Sequence, residues 1–119
     1  MTDAASLDVD LVLFEAGGRH FAADAWDVVR VDRRQGDAPT AFVAPATGYR
    51  VLVVQGPSGE VQVPIDRLLG FQRVDAAALH ALPTYACGLA SAAVVGAWLA
   101  QQEMVLLIDL LALVRELDR

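Results

Sequence analysis

Between Tyr49 and Leu117 the chain alternates short apolar runs with tight turns, and only its last dozen residues carry a helical period. Arg50 to Gln55 reads as a strand, Gly56-Pro57-Ser58-Gly59 as a turn, and Glu60 to Pro64 as the returning strand. Val61, Val63 and Ile65 alternate with Gln62 and Pro64, which predicts a ribbon with one buried face and one less buried. Pro64 cannot donate to a ladder, so it belongs at a sheet edge or a bend. Asp66-Arg67 leads into an extended run, Leu68 to Val74, and Asp75 is suited to cap a short Ala-rich turn over Ala76 to Ala81 that Pro83 ends. The runs Val94 to Leu99 and Met104 to Ile108 flank a polar tip and predict a hairpin. Asp109 then caps a final helix, Leu110 to Leu117, with Leu110, Leu113, Val114 and Leu117 on one stripe. A chain built this way is a mainly β domain with a short C-terminal helix.

The first third has the same character. Leu11 to Glu15 and His20 to Ala23 are β-rich runs joined by Gly17-Gly18, the residues that supply positive φ in tight hairpin turns. Asp24 caps a brief helical turn, and Asp27 to Val31 returns to extended chain because Val28, Val29 and Val31 are β-branched. Residues 32–48 are punctuated by Gly36, Pro39, Pro45 and Gly48 and predict a connecting loop, with room for a short strand near Ala41 to Val43. Residues 1–10 read as a loose N-terminus. No internal repeat stands out.

At 119 residues the chain is one domain, able to bury roughly 65% of its unfolded surface. A hydrophobic content of 55% exceeds what that core needs, so apolar surface is left over, and on a small domain such surface marks partner sites. The net charge is −6, and every cation is Arg. An acidic chain gains nothing from counterion release on phosphates, which argues against nucleic acid as a partner. Cys87 is alone, so it cannot form an intramolecular disulfide, which suits a reducing cytoplasm. MTDAASLDVD has acids where a secretory leader has basic residues. Ala76 to Gln102 lacks charged side chains, yet its Ala and Gly content, Pro83 and hydroxyl groups argue against membrane insertion.

The residues offer little for catalysis. His20 and His80 sit in no spacing that resembles a metal site or triad, and Cys87 has no nucleophile signature around it. Gly56 to Gly59 is a hairpin turn rather than a phosphate loop. The expectation is no catalytic residue, no cofactor and no metal. Asp66 fits a turn-stabilising acceptor better than a partner contact, whereas Trp26, between Asp24 and Asp27, fits a core and an interface position equally. A small-molecule-binding β-barrel is the alternative from another class.

Three stretches together, LVLFEAGGRHFAADAWDVVRV, YRVLVVQGPSGEVQVPIDRLLGFQRV and VVGAWLAQQEMVLLIDLLALV, resemble the CheW-like domain, the adaptor linking chemoreceptor tips to a CheA-type histidine kinase. The resemblance covers most of the chain. It implies two small SH3-like β-barrels sharing a hydrophobic seam, a receptor's helical tip in the groove between them, and the kinase's homologous domain at the barrel ends. Full-length members carry a Gly-Val-x-Asn-Leu-Arg-Gly segment and a further apolar strand where this chain has only DRRQGDAPTAFVAPATG. The first barrel is therefore expected to be reduced and kinase docking weakened or lost, as in the shortened, divergent adaptors of myxobacterial Frz-type systems. Carried over by position, the receptor-binding residues are Trp26, Val28, Val29 and Arg30 from the first half and Asp66, Leu68 and Leu69 from the second. The implied partners are a methyl-accepting chemoreceptor and a full-length CheW-like adaptor, in the cytoplasm. Pairing with another adaptor, or with a second copy, is the alternative within this class.

Overall fold

The structure, a computed structural model, describes residues 7–81, 93–100 and 102–118. Expectations for Pro83, Cys87 and the first six residues lie outside these. Nine strands and one helix are formed by the described residues: β1 (Asp8–Ala16), β2 (Arg19–Asp24), β3 (Val28–Arg33), β4 (Arg50–Gly56), β5 (Gly59–Ile65), β6 (Arg67–Asp75), β7 (Leu79–Ala81), β8 (Val94–Ala100), β9 (Glu103–Ile108) and α1 (Leu110–Arg115). Strand β1 starts three residues earlier than the apolar run suggests, because Asp8 to Asp10 pair with Arg73 to Asp75 of β6.

The strands make a six-stranded sheet in the order β6-β1-β2-β9-β8-β7 and a three-stranded sheet in the order β3-β4-β5. Three hairpins, β1–β2, β4–β5 and β8–β9, fall where Gly-bearing or polar tips separate apolar runs. The link between hairpins is a parallel pairing of Phe21 to Ala23 in β2 with Leu106 to Ile108 in β9.

Alternation along β1 distributes its side chains to two cores. Val12 and Phe14 face the larger one, with Phe21, Leu52, Val54, Val63, Ile65, Val94 and Ile108, and α1 caps it through Leu110, Leu113 and Val114. The rings of Phe14 and Phe21 stack there, 5.6 Å between centroids. Leu11 faces the smaller core, with Ala22, Val74, Trp98 and Val105. One central strand thus serves both lobes of a two-barrel, SH3-like architecture. The lobe built on β3-β4-β5 is the reduced one, since residues 34–49 contribute a single parallel bridge, Thr40 to Gln62, in place of further strands.

Three local expectations change. The turn expected over Ala76 to Ala81 is a 3-10 turn only at Ala76–Ala78, capped by Asp75, after which Leu79–Ala81 extends and pairs with β8. A single 3-10 turn satisfies its donors through the cap, freeing the next residues for the sheet. The short strand expected near Ala41 to Val43 is replaced by the bridge at Thr40, where Ala41 N–H donates to Gln62 O and Gln62 N–H donates to Pro39 O. Finally, β5 is buried on both faces, Gln62 and Pro64 included, because the connecting loop covers the side that alternation leaves less buried. Pro64 does lie on an edge strand. The final helix ends as α1 followed by a 3-10 turn, Glu116–Asp118.

Candidate functional site

Two of the large exposed apolar side chains, Trp26 and Phe71, meet where the turn before β3 approaches β6, the outer strand of the six-stranded sheet. Asp24 accepts a hydrogen bond from Trp26 N–H at 2.9 Å and so caps the 3-10 turn Ala25–Asp27. That cap turns the chain from β2 into β3 and projects the Trp26 side chain outward, 82% exposed. Across from it, β6 presents Phe71, 62% exposed. Trp26 and Val28 form one wall of a cleft of about 590 Å³, with Phe71, Gln72, Arg73 and Asp10 opposite.

The cleft is braced by one carboxylate. Asp10 accepts from Arg73 Nε at 2.9 Å on one oxygen and from Trp26 Nε1 at 3.2 Å on the other. Those two hydrogen bonds, the Arg73 one foremost, hold its carboxyl below the usual aspartate range. The indole is thereby held upright by its N–H while its face stays free, the arrangement in which an aromatic side chain serves as a contact anchor.

Of the seven residues inferred from the resemblance, Trp26 and Val28 are brought together at this cleft. Val28 is only half-buried and packs against the larger core. Val29 is the extra residue of a bulge, since Val28 pairs with Val54 and Arg30 with Val53; it is exposed and does not line the cleft. Arg30 is engaged elsewhere: its guanidinium makes a bidentate pair with Glu60, both bonds 2.9 Å, and a third contact to Asp32 at 3.1 Å. These carboxylates push its pKa further above the ordinary arginine value.

The second group divides. A bulge in β6 places Leu68 opposite Phe14 and Gly70 opposite Leu13, leaving Leu69 as the extra residue. Leu68 consequently packs on the larger core, whereas Leu69 joins Leu13, Trp98 and Leu99 around a separate cleft on the other face. Asp66 is a structural clasp. It accepts from Thr47 N–H at 2.8 Å and Gly48 N–H at 3.1 Å on one oxygen, and from Gly17 N–H at 2.9 Å on the other. Backbone donors, Thr47 first and then Gly17, lower its pKa. Asp66 is also at the wrong end of β1 for the cleft: it belongs with Glu15, five residues from Asp10, roughly 17 Å of extended chain.

Sequence reasoning missed Phe71, Arg73 and Asp10. The available signal was Phe71 itself, an aromatic residue flanked by Gly70 and Gln72 at the centre of a run read only as extended. His20 meets Glu15, its cross-strand partner in the hairpin, at 3.1 Å and, across the parallel junction that its strand gave no sign of, Glu103 at 3.5 Å. His80 is exposed on β7. Among the described residues no group of three or more His, Cys, Asp or Glu is disposed to hold a metal ion. No helix among them is long and apolar enough to cross a membrane.

No family model matches the chain. It is 32% identical over 113 residues to the frizzy aggregation protein FrzB of Myxococcus xanthus, covering 93% of this chain and 99% of that one. Its fold is similar to the crystal structure of the scaffolding protein TtCheW from Thermoanaerobacter tengcongensis, with a TM-score of 0.72, 13% identity, and coverage of 95% of this chain and 92% of the other.

Proposed function

The chain belongs to the CheW-like adaptor family, in the shortened form that FrzB represents, and from that premise we propose that it is a non-enzymatic chemosensory adaptor of the cytoplasm whose Trp26–Phe71 cleft receives the helical tip of a chemoreceptor. The observation that carries the reading is an exposed indole, fixed by Asp10, and a second exposed ring lining the same groove, with Asp10, Gln72 and Arg73 supplying its polar part. Helical hairpins are bound in this way, their apolar positions set into a groove and their flanking charges met at the rim, here by Arg73.

Contact with a CheA-type kinase is weakened or absent in this reading, which rests on the reduced lobe: residues 34–49 supply a loop and one bridge where a hairpin would extend the barrel end. The adaptor then modulates coupling by occupying receptors without recruiting kinase.

The test is a pull-down of the receptor's cytoplasmic fragment with Trp26→Ala and Phe71→Ser. Both residues are exposed, so folding is retained, and each substitution is expected to weaken receptor binding by about 1–3 kcal/mol. Val28→Asp is a poorer probe because Val28 also packs on the core. Unchanged binding by folded Trp26→Ala and Phe71→Ser removes the groove assignment.

A second reading has one observation in its favour. Among the described residues β3 pairs only with β4, so its outer edge is open to strand pairing with a full-length adaptor or a second copy. Size-exclusion of the chain alone and mixed with a full-length adaptor separates this reading from receptor docking. A small-molecule barrel has less support, since the clefts described here lack a convergent set of buried polar groups.

A further inference from the structure

At the far end of β3 from the Trp26 cleft, five strand steps or roughly 17 Å beyond Val28, three arginines converge. Arg33 and Arg50 are direct cross-strand partners in the β3–β4 ladder, and Arg34 follows with its N–H donating to Tyr49 O at 2.6 Å. Like charges placed opposite each other in a sheet are destabilising. In a chain of net charge −6, carboxylates are abundant enough to relieve such a pair, as they do for Arg30 and Arg73. Yet among the described residues no side-chain ion pair reaches Arg33, Arg34 or Arg50; the lining acid Asp32 gives one oxygen to Arg30 and the other to the Arg33 N–H, so its single charge is shared and reaches Arg33 only through space. Three guanidinium groups facing one shared carboxylate point to a ligand of opposite charge.

Two further features give the cluster shape. Arg34 lies over the Phe42 ring at 5.4 Å, a cation–π contact that holds its fork in place. Tyr49, 84% exposed, stands beside Arg50, and the group lines an open cleft of about 700 Å³ together with Val31 and Asp32. We propose that this cleft is a docking site for an acidic peptide segment of a partner protein, the guanidinium forks of Arg33, Arg34 and Arg50 meeting its carboxylates and Tyr49 packing on its backbone. Guanidinium forks match carboxylates two bonds at a time, which favours spaced acidic side chains. A phosphate ligand is less well served: the Arg33 N–H is taken by Asp32 at 2.8 Å and the Arg34 N–H by Tyr49 O, so neither is available to cradle phosphate oxygens. This site does not depend on the receptor groove.

The probe is a fluorescein-labelled peptide of five Glu-Ser repeats, titrated with the whole chain and followed by anisotropy. The wild type is expected to bind it and not the matching Lys-Ser peptide. Arg33→Gln combined with Arg50→Gln is expected to weaken binding by about tenfold or more, with a melting temperature unchanged or raised by removal of the like-charge pair. Arg19→Gln with Arg67→Gln, the same charge change outside the cleft, is expected to leave binding within about twofold. Trp26→Ala is expected to leave it intact, which separates this site from the groove. Failure of the wild type to bind the acidic peptide overturns the proposal, and so does an equal loss in the Arg19/Arg67 control. Tighter binding of ATP that also depends on Arg33 and Arg50 overturns it in favour of a phosphate ligand.

Discussion

Asp66 and Asp10 show how one residue type carries two different duties within a single short strand of separation. Both carboxylates are held toward the ionised form, but Asp10 by side chains at a groove and Asp66 by backbone N–H groups of the β1–β2 turn and the connecting loop. The chain reasoning that placed Asp66 after a buried strand found its turn role and gave no means of counting its donors, because Gly17 and Gly48 are distant in sequence. Gly48 completes the clasp: a Cβ there would lie 2.5 Å from Ile65 O, so no other residue lets the loop approach so closely. The clasp has a pH signature. The Asp66 pKa is lower folded than its ordinary value of 3.8, so the unfolded chain takes up the proton first. Its stabilisation is therefore complete well above pH 4 and is lost as pH falls through the lowered folded value. Asp66→Asn is expected to lower the urea midpoint at pH 7 and to flatten the fall in stability below about pH 4. Acid titrations of the two proteins that run parallel through that window would show that the clasp contributes nothing.

Among the elements, the strands with local signals were legible and those defined by distant pairing were not. Gly17-Gly18, Gly56 to Gly59 and the polar tip before Met104 each marked a hairpin, and Asp24, Asp75 and Asp109 each marked a cap. The parallel pairing of β2 with β9 joins residues more than eighty positions apart, and no local period encodes it. Strand β7 was hidden for a related reason: Leu79–Ala81 follows an Ala-rich turn and becomes a strand only because β8 offers it an edge. Gly96 is what permits that pairing. It lies opposite Ala81, and a Cβ on it would fall 2.6 Å from His80 O and 3.0 Å from a Leu107 methyl. The first neighbour is backbone and cannot swing aside, so Gly96→Ala is expected to push β7 off the sheet at a cost of about 1–3 kcal/mol. Hydrogen exchange would show accelerated amides in Leu79–Ala81, whereas retained protection there would mean that β8 moves instead.

For the molecule as a whole, the question is how a lobe with only three strands of its own and a long loop closes. The Pro- and Gly-punctuated stretch read as a loop, and alternation in β5 put Gln62 on its less buried face. Gln62 is instead 4% exposed and is the buried polar residue on which the reduced lobe closes. Its amide N–H groups donate to Gln35 O at 2.6 Å and to the Thr40 hydroxyl at 2.9 Å, and its oxygen accepts from Gln35 N–H at 2.9 Å. With the two backbone bonds to Pro39 and Ala41, it draws the loop along β5 as a surrogate strand. A side chain that satisfies a loop's backbone groups is needed because that loop has no ladder of its own, and an unpaired buried donor or acceptor costs about 1–3 kcal/mol. Gln62→Leu, close in volume, removes three of these hydrogen bonds and is expected to lower stability by about that amount. The loss should be local, with the Ala41 amide exchanging faster while those of β1 and β2 keep their protection. If Ala41 stays protected in Gln62→Leu, backbone pairing alone seals the lobe, and the loop closes it without its glutamine.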